Sequence, residues 1–188
     1  IMLATGKGPD FITVDGGEGG TGAAPPSFAD HVSLPWVYGF SSLYRVFLNR
    51  NLTDRIVFIG SGKLGFPAKA AMAFAMGADC INVAVCHTNT CPTGIATQSK
   101  WLQNGINIPI KSDRLAQYFN TFRKEFLEIT HAAGYEHPSQ FTMDDVQVNV
   151  DDNDLNKSLA STYGYNKAKV PFTGVQDLKD CSYLGGKI

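Results

Sequence analysis

This sequence has almost no net charge and no long apolar run. Its 188 residues carry 16 Lys and Arg against 17 Asp and Glu, a formal net charge of -1. Such a balance provides no electrostatic basis for binding nucleic acid or an anionic membrane surface. No stretch approaches the roughly 20 apolar residues of a membrane-spanning helix. The first residues also lack the basic start and apolar core of a secretory signal. We therefore expect a cytoplasmic protein, with an organellar location also compatible.

Cysteine and histidine are scarce, with four of each in the chain. The histidines do not have the spacing of a zinc enzyme. Cys86 and Cys91 bracket a His-Thr-Asn-Thr sequence and are followed by Pro92. This spacing is poorly suited to a hairpin disulfide, whereas the hydroxyl and amide groups between the thiols suit an iron–sulfur cluster. A zinc site with His87 as a third ligand and a pair of buried thiols stay open as alternatives.

Glycine, by contrast, is concentrated in two loops. The first, residues 15–25, has five glycines in seven positions and follows the apolar residues 11–14, which we predict to form a fully buried strand. Such a backbone adopts unusual φ and ψ values or lies against a ligand. Glu18, inside this loop, and Asp15, at its start, are candidates for a general base or for an acceptor of a ribityl hydroxyl. We favour a structural role, as a helix cap or an acceptor for loop N–H groups.

The second loop is Gly60-Ser61-Gly62-Lys63, directly after the apolar residues 56–59. Its glycines allow backbone N–H groups to converge on an anion, and the helix N-terminus that follows adds a favourable dipole. Lys63 adds a positive charge. A tight turn with a surface lysine is the alternative for this loop alone. The two loops together favour a phosphate-bearing cofactor.

The pattern of elements predicts alternating strands and helices. Residues 35–51 have one apolar helical face made by Val37, Phe40, Tyr44 and Phe47. Residues 55–59 are continuously apolar after Arg55 and predict a second, buried strand. Pro67 then opens an Ala-rich helix that ends at Gly77, and residues 80–84 form a third strand. This βαβαβ order predicts a parallel sheet. Because neither loop has the GxGxxG spacing, we favour a barrel over a doubly wound sheet.

The second half of the chain predicts one long helix and a polar tail. Ser112 is the expected N-cap of this helix, and the residues at its apolar spacing are Leu115, Phe119, Phe122, Phe126 and Ile129. Beyond Gly134 the chain turns polar and has few apolar anchors. We predict an extended appendage there.

The motifs in combination are more specific than any one of them. Residues 9–25, 60–63, 77–79 and 86–98 closely resemble the FMN-binding domain of the glutamate synthase large subunit and the shorter glutamate synthase-like FMN proteins. The resemblance implies an α/β fold, namely the C-terminal portion of a (β/α)8 TIM barrel with about its last three strands, a C-terminal helix and an extended tail. Residues 1–138 then form a partial FMN-binding barrel domain and residues 139–188 the tail. The chain is expected to be part of a longer protein.

The resemblance also implies two cofactors, FMN and a 3Fe–4S cluster held by a C-x5-C-x4-C pattern. Cys86 and Cys91 match its second and third cysteines. Cys80 has the spacing of the first, but it begins a strand, so we expect the true ligand in a segment of about fifteen residues missing between Ala84 and Val85. No catalytic residue is assigned. The implied cofactor-binding residues are Gly60, Ser61, Gly62 and Lys63 at the FMN phosphate, and Gly19, Gly20, Thr21 and Gly22 near the flavin or the substrate.

The implied activity is an FMN- and iron–sulfur-dependent reductive amination of 2-oxoglutarate to L-glutamate. The nitrogen is ammonia or is derived from glutamine, and the electrons come from ferredoxin or from an NADPH-oxidising subunit. An enzyme of the same family acting on another amine, of the methylamine–glutamate type, is the nearest alternative. A non-catalytic, zinc-stabilised remnant is the alternative from a different class.

Overall fold

A parallel three-stranded sheet with helices packed on it organises the molecule. The computed structural model describes residues 1–18, 27, 32–83, 107–149 and 156–167. Strands β1, β2 and β3 pair in that order, and both pairs are parallel, which confirms the predicted α/β class. Their bounds are Phe11–Asp15, Val57–Ser61 and Cys80–Asn82. The helices are α1 (Met2–Thr5), α2 (Trp36–Leu48), α3 (Pro67–Met76), α4 (Ile108–Ala132) and α5 (Leu159–Tyr163), with 3-10 turns at Thr53–Arg55 and Pro138–Gln140.

Helices α2 and α3 form where the sequence predicts them. On α2, Phe40 and Tyr44 are buried, as their spacing on one face requires. Pro67 occupies the first turn of α3, and Gly77 ends that helix with a φ of 110°. A side chain at Gly77 would also collide with the ring of Tyr44. The left-handed backbone and the close aromatic ring together explain why glycine stands there.

The main core lies between the sheet and α2. Trp36, Phe40 and Phe58 are each at most 1% exposed. Phe40 stacks on Tyr44 with ring centroids 5.6 Å apart, and Tyr44 meets Phe58 edge-on at 5.0 Å. Aromatic pairs in these geometries add to the stabilisation from burial alone. This cluster anchors α2 over the middle strand.

The predicted burial of the first two strands is wrong for one face of the sheet. Phe11 is 60% exposed and Val57 is 43% exposed, whereas Phe58 on the other face is buried. Along each strand, exposed side chains alternate with more buried ones because, within the described residues, the core clusters contain only the side chains on one face of the sheet. A continuous apolar run predicts burial on both faces, but it contains no information on whether both faces are covered.

The predicted start of the long helix is also wrong. Helix α4 begins at Ile108, and the Asn107 side chain accepts a hydrogen bond from the N–H of Ile110 at 3.2 Å. Ser112 lies inside the helix, where its hydroxyl donates to the carbonyl of Pro109 at 2.8 Å. Asn is as good an N-cap as Ser, and Pro is well placed in a first turn. The apolar face itself is present, and Phe126 on it is buried.

Part of the polar C-terminal segment packs into the main core. Strands β4 (Gln147–Asn149) and β5 (Asn156–Ser158) form an antiparallel pair, and α5 follows. Met143 and Leu159 are at most 1% exposed and belong to the core cluster. The Tyr165 hydroxyl donates to the carbonyl of Met76, at the end of α3, at 3.2 Å. An extended appendage that only lay on the surface would not bury side chains in the core in this way. The domain division at residue 138 stays a prediction.

Candidate functional site

The two predicted loops begin side by side at the carboxyl edge of the sheet. Asp15 and Ser61 are paired in register at the ends of β1 and β2. The N–H of Gly16 donates to the Ser61 carbonyl at 2.8 Å, and the N–H of Gly17 donates to the Leu34 carbonyl at 2.8 Å. Ligand sites of α/β folds lie at this edge of a parallel sheet. The structure therefore brings the first part of each loop to the expected place.

Glu18 has the structural role that the sequence favours. Its Oε2 atom accepts a hydrogen bond from the backbone N–H of Trp36 at 2.7 Å. Trp36 is the first residue of α2 and follows Pro35, so its N–H has no acceptor within the helix. A carboxylate at a helix N-terminus is further stabilised by the helix dipole. Glu18 thereby fixes the loop after β1 to the start of α2.

The glycines of the second loop accommodate the indole of Trp36. A Cβ atom at Gly60 would lie 2.7 Å from Cζ2 of Trp36, and one at Gly62 would lie 2.6 Å from its Cβ atom. Real Cβ atoms do not approach so closely, because the packed interior leaves no space to relax. Gly60 belongs to β2 itself. Packing against Trp36 thus explains why glycine stands at both positions, and their assignment to a cofactor stays a prediction.

Trp36 is the residue of this region that the sequence does not single out. Its indole is 1% exposed, and within the described part of the chain its Nε1 atom is buried without a hydrogen-bond partner. A buried N–H without an acceptor costs about 1–3 kcal/mol. The signal in the sequence is slight: an aromatic residue directly after Pro35, at the start of a predicted helix.

Lys63 lies in a left-handed backbone conformation. Its φ is 50°, which is uncommon for a residue other than Gly, Asn or Asp. The conformation is held from one side by Leu64, which is 1% exposed and packs in the core. Strained backbone of this kind concentrates at functional sites. The lysine places a positive charge in the loop that follows β2.

Several predicted site residues lie outside the described residues, and their assignments stay predictions. They are Gly19, Gly20, Thr21, Gly22, Cys86, His87 and Cys91, together with the junction of Ala84 and Val85. Cys80 is described and has a free, exposed thiol. Its partial burial and the nearby Asp79 carboxylate raise the pKa of this thiol. Among the described residues, no three His, Cys, Asp or Glu side chains are grouped to hold a metal ion.

Comparison with known protein families identifies the chain's relatives. The sequence model described as "Conserved region in glutamate synthase" matches residues 1–136. The chain belongs to the glutamate synthase family. This match confirms the resemblance stated from the two glycine loops and the cysteine loop.

Individual relatives agree with the family match. The chain is 36% identical over 167 residues to the glutamate synthase large subunit-like protein YerD of Bacillus subtilis, covering 82% of this chain and 32% of that protein. It is 32% identical to the ferredoxin-dependent glutamate synthase of Cyanidium caldarium, covering 71% of this chain and 9% of the relative. The chloroplastic ferredoxin-dependent enzyme of Spinacia oleracea is 32% identical, with 68% and 8% covered. The chain thus spans a third or less of these relatives.

Among the residues that the structure describes, no helix combines the length and the apolar character needed to cross a membrane.

Proposed function

We propose that this chain forms part of the FMN-binding barrel of a glutamate synthase-type enzyme that reductively aminates 2-oxoglutarate to L-glutamate. The observation that carries the proposal is the meeting of two loops at one sheet edge in a chain of this family. The Gly16 N–H donates to the Ser61 carbonyl, so the glycine-rich loop and the Gly60–Lys63 loop leave the sheet together. Barrel enzymes build their sites from such loops.

The donors of the second loop fit FMN. The Ser61 hydroxyl, which is half-buried, and the Lys63 ammonium group lie at the carboxyl end of β2. A hydroxyl donor beside a cation suits a phosphate group or an electron-rich flavin ring. Trp36 already occupies the space beside the Cα atoms of Gly60 and Gly62. We therefore assign the polar contacts to Ser61 and Lys63, and the glycines give the loop its shape. FMN, when bound, supplies the hydride for reductive amination.

The remaining residues of the site position the loops. Glu18 holds the first loop against α2 through the Trp36 N–H, which limits the movement of the backbone that leads into residues 19–22. We place Gly19, Gly20, Thr21 and Gly22 near the flavin or the substrate, as the family resemblance implies. Cys86 and Cys91 are proposed ligands of a 3Fe–4S cluster, which would accept electrons from ferredoxin or from an NADPH-oxidising subunit. Several relatives are named for ferredoxin dependence, which supports ferredoxin as the donor.

Spectroscopy of the intact, full-length protein tests this proposal. We expect flavin absorbance, protein-bound iron and sulfide, and formation of glutamate from 2-oxoglutarate and ammonia or glutamine with reduced ferredoxin. A folded, colourless protein that contains one zinc ion per chain would contradict it and favour the zinc-stabilised remnant. Formation of N-methylglutamate from 2-oxoglutarate and methylamine, with no glutamate formed from ammonia or glutamine, would assign the methylamine-type activity instead.

A matched pair of lysine variants tests the fit of FMN to the second loop. Lys63→Asn removes the charge, and Asn tolerates the left-handed backbone at this position. We expect it to bind FMN about 10-fold more weakly, as loss of one charged hydrogen bond predicts. Lys69→Met, at an exposed position on α3, is the control and should bind FMN normally. Equal flavin affinity in both variants would remove Lys63 from the cofactor site.

A further inference from the structure

The two faces of the three-stranded sheet differ in their surroundings. Ile12, Val14 and Phe58 lie on the face that packs against the core below α2. Side chains of alternate residues point to the opposite face. On that second face, all the described residues of the two outer strands are exposed. We call it the open face.

Parallel register arranges the open face in three rows. Residues that are paired in register lie side by side, with strands about 4.8 Å apart. From the amino to the carboxyl end of the strands, the rows are Phe11 with Val57, then Thr13 with Ile59 and Cys80, then Asp15 with Ser61 and Asn82. The first row is apolar, the second is mixed and the third is entirely polar. We call the third row the polar row.

The polar row lies at the edge where the two loops begin. The residue after Asp15 donates its N–H to the Ser61 carbonyl at 2.8 Å, so the end of β1 is fixed against β2. Asn82 ends β3 in register with Ser61. Because all three side chains belong to regular strands, their spacing is set by the sheet and does not depend on the loops. A rigid strand end is a more exact support for a ligand than a loop.

The chemistry of the polar row suits a nitrogen group that carries several hydrogens. A carboxylate only accepts hydrogen bonds, and the Asn amide and Ser hydroxyl each contribute an acceptor oxygen. Three acceptors, one of them negatively charged, match ammonium or an iminium cation. A hydroxyl also donates, so Ser61 can serve FMN and the nitrogen group at the same time. Lys63, two residues beyond Ser61, carries the opposite charge and suits the anionic groups of the site.

We propose that the polar row binds the nitrogen substrate, with Asp15 as the charged acceptor for ammonium and for the iminium that ammonium and the keto carbonyl of 2-oxoglutarate form with release of water, and Asn82 and Ser61 as neutral acceptors. The proposal rests on the proposed function, because reductive amination requires ammonia and a keto acid to meet at the flavin. Asp15 then raises the local concentration of ammonium and favours the iminium cation over the neutral imine. Lys63 and Asp15 divide the site into an anion-binding and a cation-binding side.

Two isosteric variants of one strand test this role. Asp15→Asn removes the charge at the carboxyl end of β1, and Asp10→Asn removes the same charge just before its amino end. Ammonium binding by the full-length protein is measured with 15N-ammonium line broadening at constant ionic strength, with sodium as the competing cation. The KM values for ammonium and for 2-oxoglutarate and the flavin content are measured in parallel. We expect Asp15→Asn to weaken ammonium binding and raise its KM about 10- to 100-fold, with the other quantities and the Asp10→Asn control unchanged within about twofold.

The outcomes separate this inference from the proposed function. Ammonium binding that depends on Asp15 in a protein that forms no glutamate supports the polar row and removes the proposed reaction. An active protein in which Asp15→Asn leaves ammonium binding and its KM unchanged overturns the polar row alone. A variant that loses flavin, or in which only the KM for 2-oxoglutarate changes, also overturns it, since the row would then bind the cofactor or the keto acid. Equal competition by sodium overturns the assignment to nitrogen.

Discussion

The Glu18 carboxylate accepts the backbone N–H of Trp36 at 2.7 Å and so joins the loop after β1 to the first turn of α2. The same carboxylate lies 3.2 Å from the position that a Cβ atom at Gly62 would occupy. Glu18, Trp36 and Gly62 therefore form one contact group shared by both loops of the proposed site. The stability of this group and the geometry of the site are linked.

Removing the Glu18 carboxylate should destabilise the protein. Glu18→Ala leaves the Trp36 N–H without its acceptor, and loss of a helix cap costs about 1 kcal/mol. Glu18→Gln keeps an acceptor oxygen and should cost less. Urea unfolding of both variants provides the measurement, with Glu125→Ala on the exposed side of α4 as the control. An unchanged midpoint in Glu18→Ala would show that the contact contributes nothing to stability.

Two Gly→Ala substitutions should change stability in opposite directions. At Gly60 the added methyl group meets Cζ2 of the buried Trp36 ring at 2.7 Å, and such overpacking costs about 1–3 kcal/mol. At Gly39, inside α2, the nearest atom to the added methyl is 3.8 Å away, and Ala is favoured over Gly in a helix by about 1 kcal/mol. Thermal unfolding should show a lower Tm for Gly60→Ala and a higher Tm for Gly39→Ala. Shifts in the same direction would contradict the packing argument.

The stability of the protein should pass through a maximum in the alkaline range. Burial lowers the pKa of Lys167 from 10.5 to about 8, so between these values the unfolded chain binds the extra proton and stability rises with pH. Burial raises the pKa of Tyr44 from 10.0 to about 12, so above pH 10 the unfolded chain loses this proton first and stability falls. The free energy of unfolding, measured by urea at intervals of pH, should therefore be highest near pH 10.

Variants assign each part of this pH profile. Lys167→Met removes the titrating group that donates to the carbonyls of Phe74 and Ser139, and the rise between pH 8 and 10 should disappear. Tyr44→Phe should weaken the fall above pH 10. The exposed Lys69→Met control should keep the complete profile. A rise that persists in Lys167→Met would show that another group causes it.

A core substitution after residue 138 tests whether the C-terminal segment folds with the sheet. Leu159 is 1% exposed within the main cluster, and Leu→Ala at such a site costs about 2–5 kcal/mol. Leu159→Ala should lower the midpoint of a single unfolding transition. Tryptophan fluorescence follows this transition, because Trp36 belongs to the same cluster. Leu115→Ala, at a position 37% exposed on α4, should have a small effect. A transition unaffected by Leu159→Ala would indicate a separate tail, as the sequence predicts.

Local patterns are sufficient for much of the fold. The spacing of Phe40 and Tyr44 predicts the buried face of α2, and Pro67 with Gly77 predicts both ends of α3, because these signals act within one or two turns. The start of α4 is predicted five residues late, since Asn107 and Ser112 are both good caps and only the surrounding chain decides between them. The polar composition after Gly134 conceals single anchors such as Leu159. Burial of such an anchor depends on residues distant in sequence.

The sequence by itself determined the family, the order of the first three strands and of the helices between them, and the two loops at the sheet edge, because these depend on local motifs and on the handedness of βαβ units. Tertiary structure alone decided that Gly60 and Gly62 lie against Trp36, that Glu18 caps α2, and that the described residues leave one face of the outer strands exposed, with Asp15, Ser61 and Asn82 in one row. Each of these depends on which strands pair and in what register. Two successive pairings, Asp15 with Ser61 and Ser61 with Asn82, place in one row residues that are 67 positions apart in the chain, and no local pattern encodes that alignment.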